Sequence, residues 1–297
     1  MKATMATTTR TTTRTTTRTT KKKVLIDQPS PVNVSKLVKR YATKTVLNGV
    51  DMHVAAGEVL CILGPNGAGK TTLISTILGL LAADSGAIAL FGEVQDGTSR
   101  SIALRQQLGV MMQMGSLSAN LSVIEQCDLF ASYYQNGYSA HELVSLAGLE
   151  AQAKQRFGDL SGGQKQRLLF AIALAGKPKL VFLDEPSLGM DVEARRKLWQ
   201  QIRQSKQQGI AVVLTTHYLE EAEQLADRIL VLNNAQVIAE GSPAQLKALS
   251  AYKFIYCVSK LSDTELSALP GVQKLEHQAT NVILQSAAVE QTLQALL

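Results

Sequence analysis

Apolar and polar positions along the chain form short strand-like runs that are separated by longer helical patterns. Val32–Val38 and Val46–Val54 alternate apolar with polar residues, which is typical of strands that are buried on one face. Glu58–Leu63, Leu180–Leu183 and Ile210–Leu214 are runs of the kind that is buried on both faces of a parallel sheet. The pattern therefore predicts a sheet that is covered by other elements.

Helical periodicity fills the intervals between these runs. The apolar spacing predicts the helices Thr71–Leu81, Gln164–Ala175, Val192–Gln207 and Leu219–Leu225. Ile229–Leu232 and Gln236–Ala239 flank Asn233-Asn234-Ala235, which predicts a hairpin because Asn tolerates a positive φ. Strands that alternate with helices indicate an α/β fold.

Three segments depart from this pattern. Residues 115–159 are mostly helical and lack strand signals, so we expect an inserted helical subdomain within a main domain that spans residues 32–250. Residues 251–297 have the pattern strand, helix, two strands and helix, which predicts a small α+β appendage. Residues 1–23 are rich in Thr and Arg and are expected to form a disordered basic tail. A weak binder of anionic surfaces and a targeting segment are the alternatives for this tail.

The basic character of the chain is confined to that tail. The 297 residues contain 30 Lys and Arg against 24 Asp and Glu, a formal net charge of +6. Seven of the basic residues and none of the acidic ones lie in residues 1–23, which leaves a net charge of −1 on the rest. The charge therefore gives little support for a nucleic-acid-binding fold.

Cysteine content and hydropathy argue against two further classes of protein, those with disulfides or metal-binding cysteine pairs and those with a membrane-spanning helix. Cys61, Cys127 and Cys257 are widely spaced and form no metal-ligand pair, so we expect buried thiols in a reducing compartment. The most apolar helical stretch, Thr71–Ala83, is about a dozen residues long, whereas a membrane-spanning helix needs roughly 20. Any role at a membrane is therefore expected to depend on a partner.

A glycine-rich segment follows Glu58–Leu63 and precedes the first predicted helix. Its residues are Gly64, Pro65, Asn66, Gly67, Ala68, Gly69, Lys70, Thr71 and Thr72. They match G-x-x-x-x-G-K-[ST], in which glycines allow backbone N–H groups to point at phosphate oxygens. Lys70 is expected to reach the outer phosphates of a nucleotide, and the Thr71 hydroxyl is expected to bind Mg²⁺.

Two carboxylates, Asp184 and Glu185, follow the apolar run Leu180–Leu183. A parallel strand delivers such residues to the carboxyl edge of the sheet, where ligands bind. We expect Asp184 to hold Mg²⁺, often through water, and Glu185 to polarise the attacking water. An acidic pair at a strand end is weak evidence alone, but beside a phosphate-binding segment it favours nucleotide hydrolysis.

The segment Leu160-Ser161-Gly162-Gly163-Gln164 precedes another apolar helix. Ser161 has the position of a helix N-cap, and the two glycines permit the close approach of an anion. From these features alone, an ordinary capped helix start is an equally good interpretation.

In this order and spacing, the three segments resemble those of the ATP-binding cassette (ABC) ATPases over about residues 32–250. The resemblance implies a P-loop NTPase core of ABC type with an antiparallel β subdomain and an inserted α-helical subdomain. It also implies ATP and Mg²⁺ as cofactors, with ATP hydrolysed by Glu185 as general base.

Further site residues are implied by the resemblance alone. Tyr41 matches the aromatic residue that stacks on adenine, and Gln113 matches the glutamine that contacts Mg²⁺ and links to the helical subdomain. His217 matches the histidine that contacts the γ-phosphate, and Asp191 ends the segment Ser187–Asp191 that crosses between subunits. The alternatives are a strand aromatic for Tyr41, a surface side chain for Gln113, and a packing or capping residue for His217.

Cassettes of this family meet head to tail, which implies a homo- or heterodimer. Ser161, Gly162, Gly163 and Gln164 would then cover the ATP that is bound by the phosphate loop of the second ABC subunit. Thr215–Glu223 is similar to the ATPase subunits of drug, polysaccharide and lipid exporters, whose membrane subunits are separate chains. Multi-spanning permease partners and a place at the cytoplasmic face of the inner or plasma membrane are thereby implied.

Other interpretations remain open at this point. The main alternative is a soluble ABC ATPase that acts on nucleic acid or ribosomes, although a single cassette without a long heptad run gives no expectation of a specific nucleic-acid partner. An importer subunit and a nucleotide-binding module without turnover are further alternatives. Within Met114–Tyr134, the side chains of Leu117, Leu121 and Leu129 form either a groove for a permease helix or the subdomain's own core.

Overall fold

The computed structural model describes residues 30–112, 117–249, 253–259, 261–278 and 281–296. Its strands are β1 Val32–Tyr41, β2 Lys44–Val54, β3 Val59–Leu63, β4 Ser85–Leu90, β5 Glu93–Val94, β6 Leu108–Met111, β7 Leu180–Asp184, β8 Ala211–Thr216, β9 Arg228–Asn233, β10 Gln236–Gly241, β11 Lys253–Cys257, β12 Val272–Gln278 and β13 Asn281–Ser286. Its α-helices are α1 Lys70–Ile77, α2 Ile102–Arg105, α3 Val123–Ala131, α4 Ala140–Ala147, α5 Gly162–Ala173, α6 Val192–Gln207, α7 Leu219–Leu225, α8 Pro243–Leu249, α9 Asp263–Ser267 and α10 Val289–Leu296. Gln113 and the predicted tail of residues 1–23 lie outside the described residues.

A six-stranded sheet lies at the centre of the main domain, in the order β10-β9-β3-β8-β7-β6. The strands β9, β3, β8, β7 and β6 run parallel, and β10 pairs antiparallel with β9. β7 and β8 are buried along their whole length, as expected for strands that are covered on both faces. The predicted α/β fold is confirmed.

A second, antiparallel sheet has the order β2-β1-β4-β5 and shares one apolar core with α1 and the central sheet. The sequence pattern predicts β1 and β2 but not β4 and β5. β4 has the sequence Ser-Gly-Ala-Ile-Ala-Leu, in which Gly86 and small side chains weaken the alternation of apolar and polar residues. β1 and β4 pair from Val32 with Leu90 onward, so the missed strand completes the predicted antiparallel subdomain.

Helix α1 is shorter than the sequence predicts. It ends at Ile77 rather than at Leu81. Gly79 adopts a φ of +76°, which favours glycine and turns the chain out of the helix. The guanidinium group of Arg100 then donates hydrogen bonds to the carbonyl groups of Thr76 and Ile77 at the end of α1.

The helical subdomain is formed by α3 and α4, which pack against α5 around an apolar core of their own. Leu117 packs against this core, Leu121 is half-buried, and Leu129 is 42% exposed. The three candidate leucines therefore differ. Leu117 belongs to the core of the subdomain, whereas Leu129 is exposed and remains available for a groove.

After the main domain, β11, β13 and β12 form an antiparallel sheet in that order. Helix α9 follows β11, and α10 follows β13, so the elements occur in the sequence strand, helix, two strands and helix. Leu266 and Leu284 are fully buried in its core.

Two of the three cysteines are buried, as expected, and the third is half-buried. Burial raises the pKa of the Cys61 thiol well above its usual value and that of Cys127 to about 12. Cys257 on β11 is half-buried.

Over the described part of the chain, no helix combines the length and the apolar character that crossing a membrane requires.

Candidate functional site

The phosphate loop connects β3 to α1 and depends on close backbone approaches. Gly69 immediately precedes α1 with a φ of 108°. A Cβ atom on Gly64 would lie only 2.2 Å from the carbonyl oxygen of Leu232, so a side chain there would displace the backbone. Glycine is therefore required at both ends of the loop.

Lys70 is held at the bottom of this loop. Its Nζ atom donates to the carbonyl oxygens of Gly64 at 2.8 Å and Pro65 at 3.2 Å. The same Nζ lies 3.1 Å from Oε1 of Glu185. The side chains of Lys70 and Glu185 are only 6% and 8% exposed, so each charge depends on the other as a partner.

Asp184 lies at the end of β7 and is surrounded by hydroxyl donors. The Thr71 hydroxyl donates to its Oδ2 at 2.9 Å, and the Thr215 hydroxyl donates to its Oδ1 at 2.6 Å. The parallel register of β7 and β8 places Asp184 directly opposite Thr215. The structure therefore brings together Thr71 and Asp184, the two oxygen donors that the sequence indicates for Mg²⁺.

Glu185 follows Asp184 and contacts His217 with its second carboxylate oxygen. Nδ1 of His217 lies 2.7 Å from Oε2 of Glu185. Glu185 has a φ of 49°, a left-handed conformation that is uncommon for a residue other than glycine and that occurs often at functional sites. Its backbone N–H donates to the Thr215 hydroxyl at 3.0 Å, which fixes this conformation.

A cavity of about 360 Å³ lies above these contacts. Its lining consists of Tyr41, Val46, Asn66, Gly67, Gly69, Lys70, Thr71, Thr72, Glu185, Leu188 and His217. Pro65 and Ala68 line a neighbouring cavity, together with the turn Asn233-Asn234-Ala235. Tyr41 is 46% exposed, so its ring is accessible to a ligand and is not packed within the sheet.

Ser161–Gln164 lie apart from this cavity. Ser161, Gly163, Gln164 and Asp191 line a separate shallow pocket of about 190 Å³, and Gly162 begins α5. The Ser161 hydroxyl accepts from the N–H of Gln164 at 3.3 Å, and the Gln164 side chain accepts from the N–H of Ser161 at 2.8 Å. This reciprocal arrangement is a helix capping box, as the simpler interpretation expects.

The sequence indicates no individual contact in the cavity for Thr215, Val46 or Leu188, although Thr215 and Leu188 lie in the segments Thr215–Glu223 and Ser187–Asp191. Thr215 is fully buried and bonds both to Asp184 and to the N–H of Glu185. Its signal in the sequence is a polar residue at the end of the apolar run Ile210–Leu214. Val46 and Leu188 line the cavity with apolar side chains.

Comparison with known proteins identifies the family. The family model described as ABC transporter matches residues 47–188. The Nod factor export ATP-binding protein I of Burkholderia pseudomallei is 40% identical over 224 residues, which cover 73% of this chain and 72% of that protein. The chain belongs to the ABC transporter ATPases. A Rhizobium meliloti protein with the same name is 40% identical over 220 residues, covering 72% of this chain and 65% of that protein.

Solved structures of ABC cassettes have the same fold. A dimeric cassette in a post-hydrolysis state with ADP and Pi has a TM-score of 0.64 and 26% identity, covering 71% of this chain and 98% of its own. A Clostridium perfringens cassette from an ABC transporter complex has a TM-score of 0.66 and 27% identity, and the match covers 74% of this chain and 92% of that cassette. This chain is thus an ABC ATPase, which binds and hydrolyses ATP, and a role on nucleic acid or ribosomes is not favoured.

Proposed function

We propose that this chain is the energy-coupling subunit of an ABC exporter in which Lys70, Glu185 and His217 carry out ATP hydrolysis. The main supporting observation is the chain of contacts from Lys70 through both carboxylate oxygens of Glu185 to His217. All three side chains line the cavity beside the phosphate loop. Tyr41, exposed at the rim of this cavity, is proposed to stack on adenine.

The ion pair between Lys70 and Glu185 suggests how ATP starts the reaction. The γ-phosphate carries more negative charge than a carboxylate, so it replaces Glu185 as the partner of Lys70. Glu185 is then free to accept a proton from the attacking water while Oε2 keeps Nδ1 of His217 in place. The other nitrogen of His217 is available to the γ-phosphate, and Lys70 neutralises the charge that develops there.

The residues present fit a magnesium ion. Thr71 and Asp184 offer a hydroxyl and a carboxylate, the oxygen donors that Mg²⁺ prefers. Among the described residues, no group of three or more His, Cys, Asp or Glu side chains forms a metal site by itself. This fits Mg²⁺, which is usually bound by one or two protein ligands plus substrate phosphates and water. When bound, the ion would neutralise phosphate charge, and Gln113 is proposed as a further contact.

The separation of the two pockets supports a dimeric site. Ser161, Gly163 and Gln164 do not line the cavity of the phosphate loop on their own chain. We propose that they, with Gly162, cover the ATP bound by a second ABC subunit, and that Asp191 lies at the contact between the subunits. A related cassette is dimeric in its post-hydrolysis state, which supports this arrangement.

The names of the relatives favour export through separate membrane subunits. The Burkholderia and Rhizobium proteins are named export ATP-binding proteins, and no described helix of this chain can cross a membrane. We therefore propose multi-spanning permease partners and a location at the cytoplasmic face of the inner or plasma membrane. On the helical subdomain, Leu129 and the neighbouring Tyr133 are exposed and are proposed to contact the permease.

ATP turnover by the purified chain tests the catalytic part of this proposal. We expect Lys70→Ala and Glu185→Gln each to lower kcat by at least about 100-fold. The first removes the charge that neutralises the γ-phosphate, and the second removes the base that takes a proton from the attacking water. Lys247→Ala is the matched control, because this lysine is exposed and pairs with Glu223 at the surface. Wild-type turnover in Lys70→Ala would overturn the proposed mechanism.

Contact with the membrane partner requires a separate experiment. Leu129→Glu is expected to reduce co-purification of a multi-spanning membrane protein with the tagged chain and to leave soluble ATP turnover unchanged. Val94→Glu is the control, since Val94 is still more exposed but lies in the antiparallel subdomain. Equal recovery of the membrane protein with both variants would contradict a permease contact at Leu129.

A further inference from the structure

The side chains around His217 form a stack that the proposed mechanism does not use. The ring of Tyr218 lies with its centroid 3.9 Å from that of His217, at an interplanar angle of 41°. On Tyr218, the guanidinium carbon of Arg195 lies 5.4 Å from the ring centroid, within the range of a cation–π contact. The two contacts connect the imidazole to helix α6 through one aromatic ring.

The backbone on each side of this stack is fixed. The N–H of Tyr218 donates to the buried hydroxyl of Thr216 at 3.0 Å, which holds the chain where it leaves β8. Arg195 lies in the first turn of α6 and donates from its terminal nitrogen to the carbonyl oxygen of Met190 at 3.3 Å. Arg195 therefore joins Tyr218 to the segment Ser187–Asp191, which leads from Glu185 into α6.

The imidazole of His217 needs such support because Glu185 holds only one of its atoms. The contact at Nδ1 fixes a point on the ring but allows rotation about it, and 27% of the His217 side chain is exposed. An aromatic face on one side of the ring removes this freedom. Misplacement of a catalytic group by about 1 Å costs up to roughly 100-fold in rate, so the orientation of the ring affects turnover directly.

We propose that Tyr218 and Arg195 are positioning residues, which hold the imidazole of His217 in the plane required for contact with Glu185 and the γ-phosphate. The inference rests on the proposed role of His217. The ring of Tyr218 provides the packing surface, and its hydroxyl forms no hydrogen bond within the described residues. Arg195 holds the ring of Tyr218 in place and connects it, through Met190, to the segment Ser187–Asp191, which is expected at the subunit contact.

Steady-state ATP hydrolysis with five variants tests this inference. We expect Tyr218→Leu and Arg195→Gln to lower kcat roughly 10- to 100-fold with KM for ATP within about twofold of wild type, because orientation and not binding is lost. Tyr218→Phe keeps the ring and is expected to retain wild-type kcat. Arg196→Gln is the matched control, since Arg196 is the exposed neighbour on the same helix.

The His217→Ala variant distinguishes the role of His217 from that of Tyr218. Wild-type kcat in His217→Ala would refute the proposed role of His217 itself. Loss of kcat in His217→Ala together with wild-type kcat in Tyr218→Leu would refute only the positioning role. Equal losses in Tyr218→Phe and Tyr218→Leu would also refute it, because the hydroxyl and not the ring would then be required.

Proton NMR of the histidine rings provides a readout that does not depend on activity. The chain has four histidines, so the signal that disappears in His217→Ala identifies His217. The face of Tyr218 must shift that signal through its ring current. We expect the shift to persist in Tyr218→Phe and to disappear in Tyr218→Leu. An unchanged His217 signal in folded Tyr218→Leu would overturn the packing on which the inference rests.

Discussion

The buried guanidinium of Arg100 is the feature whose removal gives the clearest stability prediction. It is 6% exposed and donates to four carbonyl oxygens, those of Thr76, Ile77, Gly97 and Ser99, at 3.0–3.3 Å. In the described part of the chain no carboxylate pairs with it, and burial lowers its pKa. Its charge is instead stabilised by carbonyl dipoles, including those at the end of α1.

Replacement by methionine keeps most of the volume but leaves the carbonyl oxygen of Ile77 without a donor. The carbonyl oxygen of Thr76 keeps the N–H of Gly79 at 3.1 Å, and those of Gly97 and Ser99 belong to exposed residues that water can reach. Each buried acceptor that loses its donor costs about 1–3 kcal/mol, and removal of the buried charge recovers part of its desolvation cost. We therefore expect Arg100→Met to lower the free energy of unfolding by about 2 kcal/mol. At roughly 2–4 °C per kcal/mol for a protein of this size, Tm falls by roughly 4–8 °C.

Thermal unfolding followed by circular dichroism measures this change. Arg105→Met is the matched control, because Arg105 is exposed on the nearby helix α2, and its Tm is expected to stay within about 2 °C of wild type. Equal Tm values for Arg100→Met and Arg105→Met would refute the reasoning, since the carbonyl groups would then have found other donors.

Three further predictions concern other parts of the chain. Trp199→Phe is expected to lower the free energy of unfolding in urea by about 2 kcal/mol, because it removes the indole donor from the buried carboxylate of Glu221. Glu221→Gln keeps an acceptor for the indole N–H and is expected to lower the free energy of unfolding by less. Tyr41→Ala is expected to raise the KM for ATP roughly tenfold with unchanged kcat. Tyr41→Trp is expected to keep the KM near the wild-type value, because adenine stacks on the face of an aromatic ring. A thiol reagent at pH 8 is expected to label half-buried Cys257 before Cys127, whose pKa is about 12, as mass spectrometry of the native protein would show; equal labelling rates would contradict this.

Much of the catalytic cavity could be predicted because its residues lie in short local motifs. The phosphate loop is continuous in sequence, and Asp184 and Glu185 directly follow an apolar run. Parallel pairing of β3, β7 and β8 then brings these separate strand ends to one edge of the sheet. His217 follows β8 and reaches the same edge for the same reason.

The remaining features depend on contacts between residues that are distant in sequence. β6 was not predicted as a strand, although Gly109 within it is required by packing: a Cβ atom there would lie 2.2 Å from the carbonyl oxygen of Ala173. Arg100 looks like an ordinary surface arginine until α1 ends beside it. The ion pair between Lys70 and Glu185 joins two residues whose separate roles the sequence indicates but whose contact it does not.

The central claim is that two chains enclose each ATP, and mass measurement of Glu185→Gln in solution tests it most directly. Without the general base, bound ATP persists, so light scattering of Glu185→Gln with ATP and Mg²⁺ is expected to show twice the monomer mass. Without ATP, the same variant is expected to show the mass of the monomer. Adding Ser161→Glu to this variant is expected to abolish the dimer, because the new carboxylate repels the partner's nucleotide. A monomer for Glu185→Gln at saturating ATP would contradict the composite site.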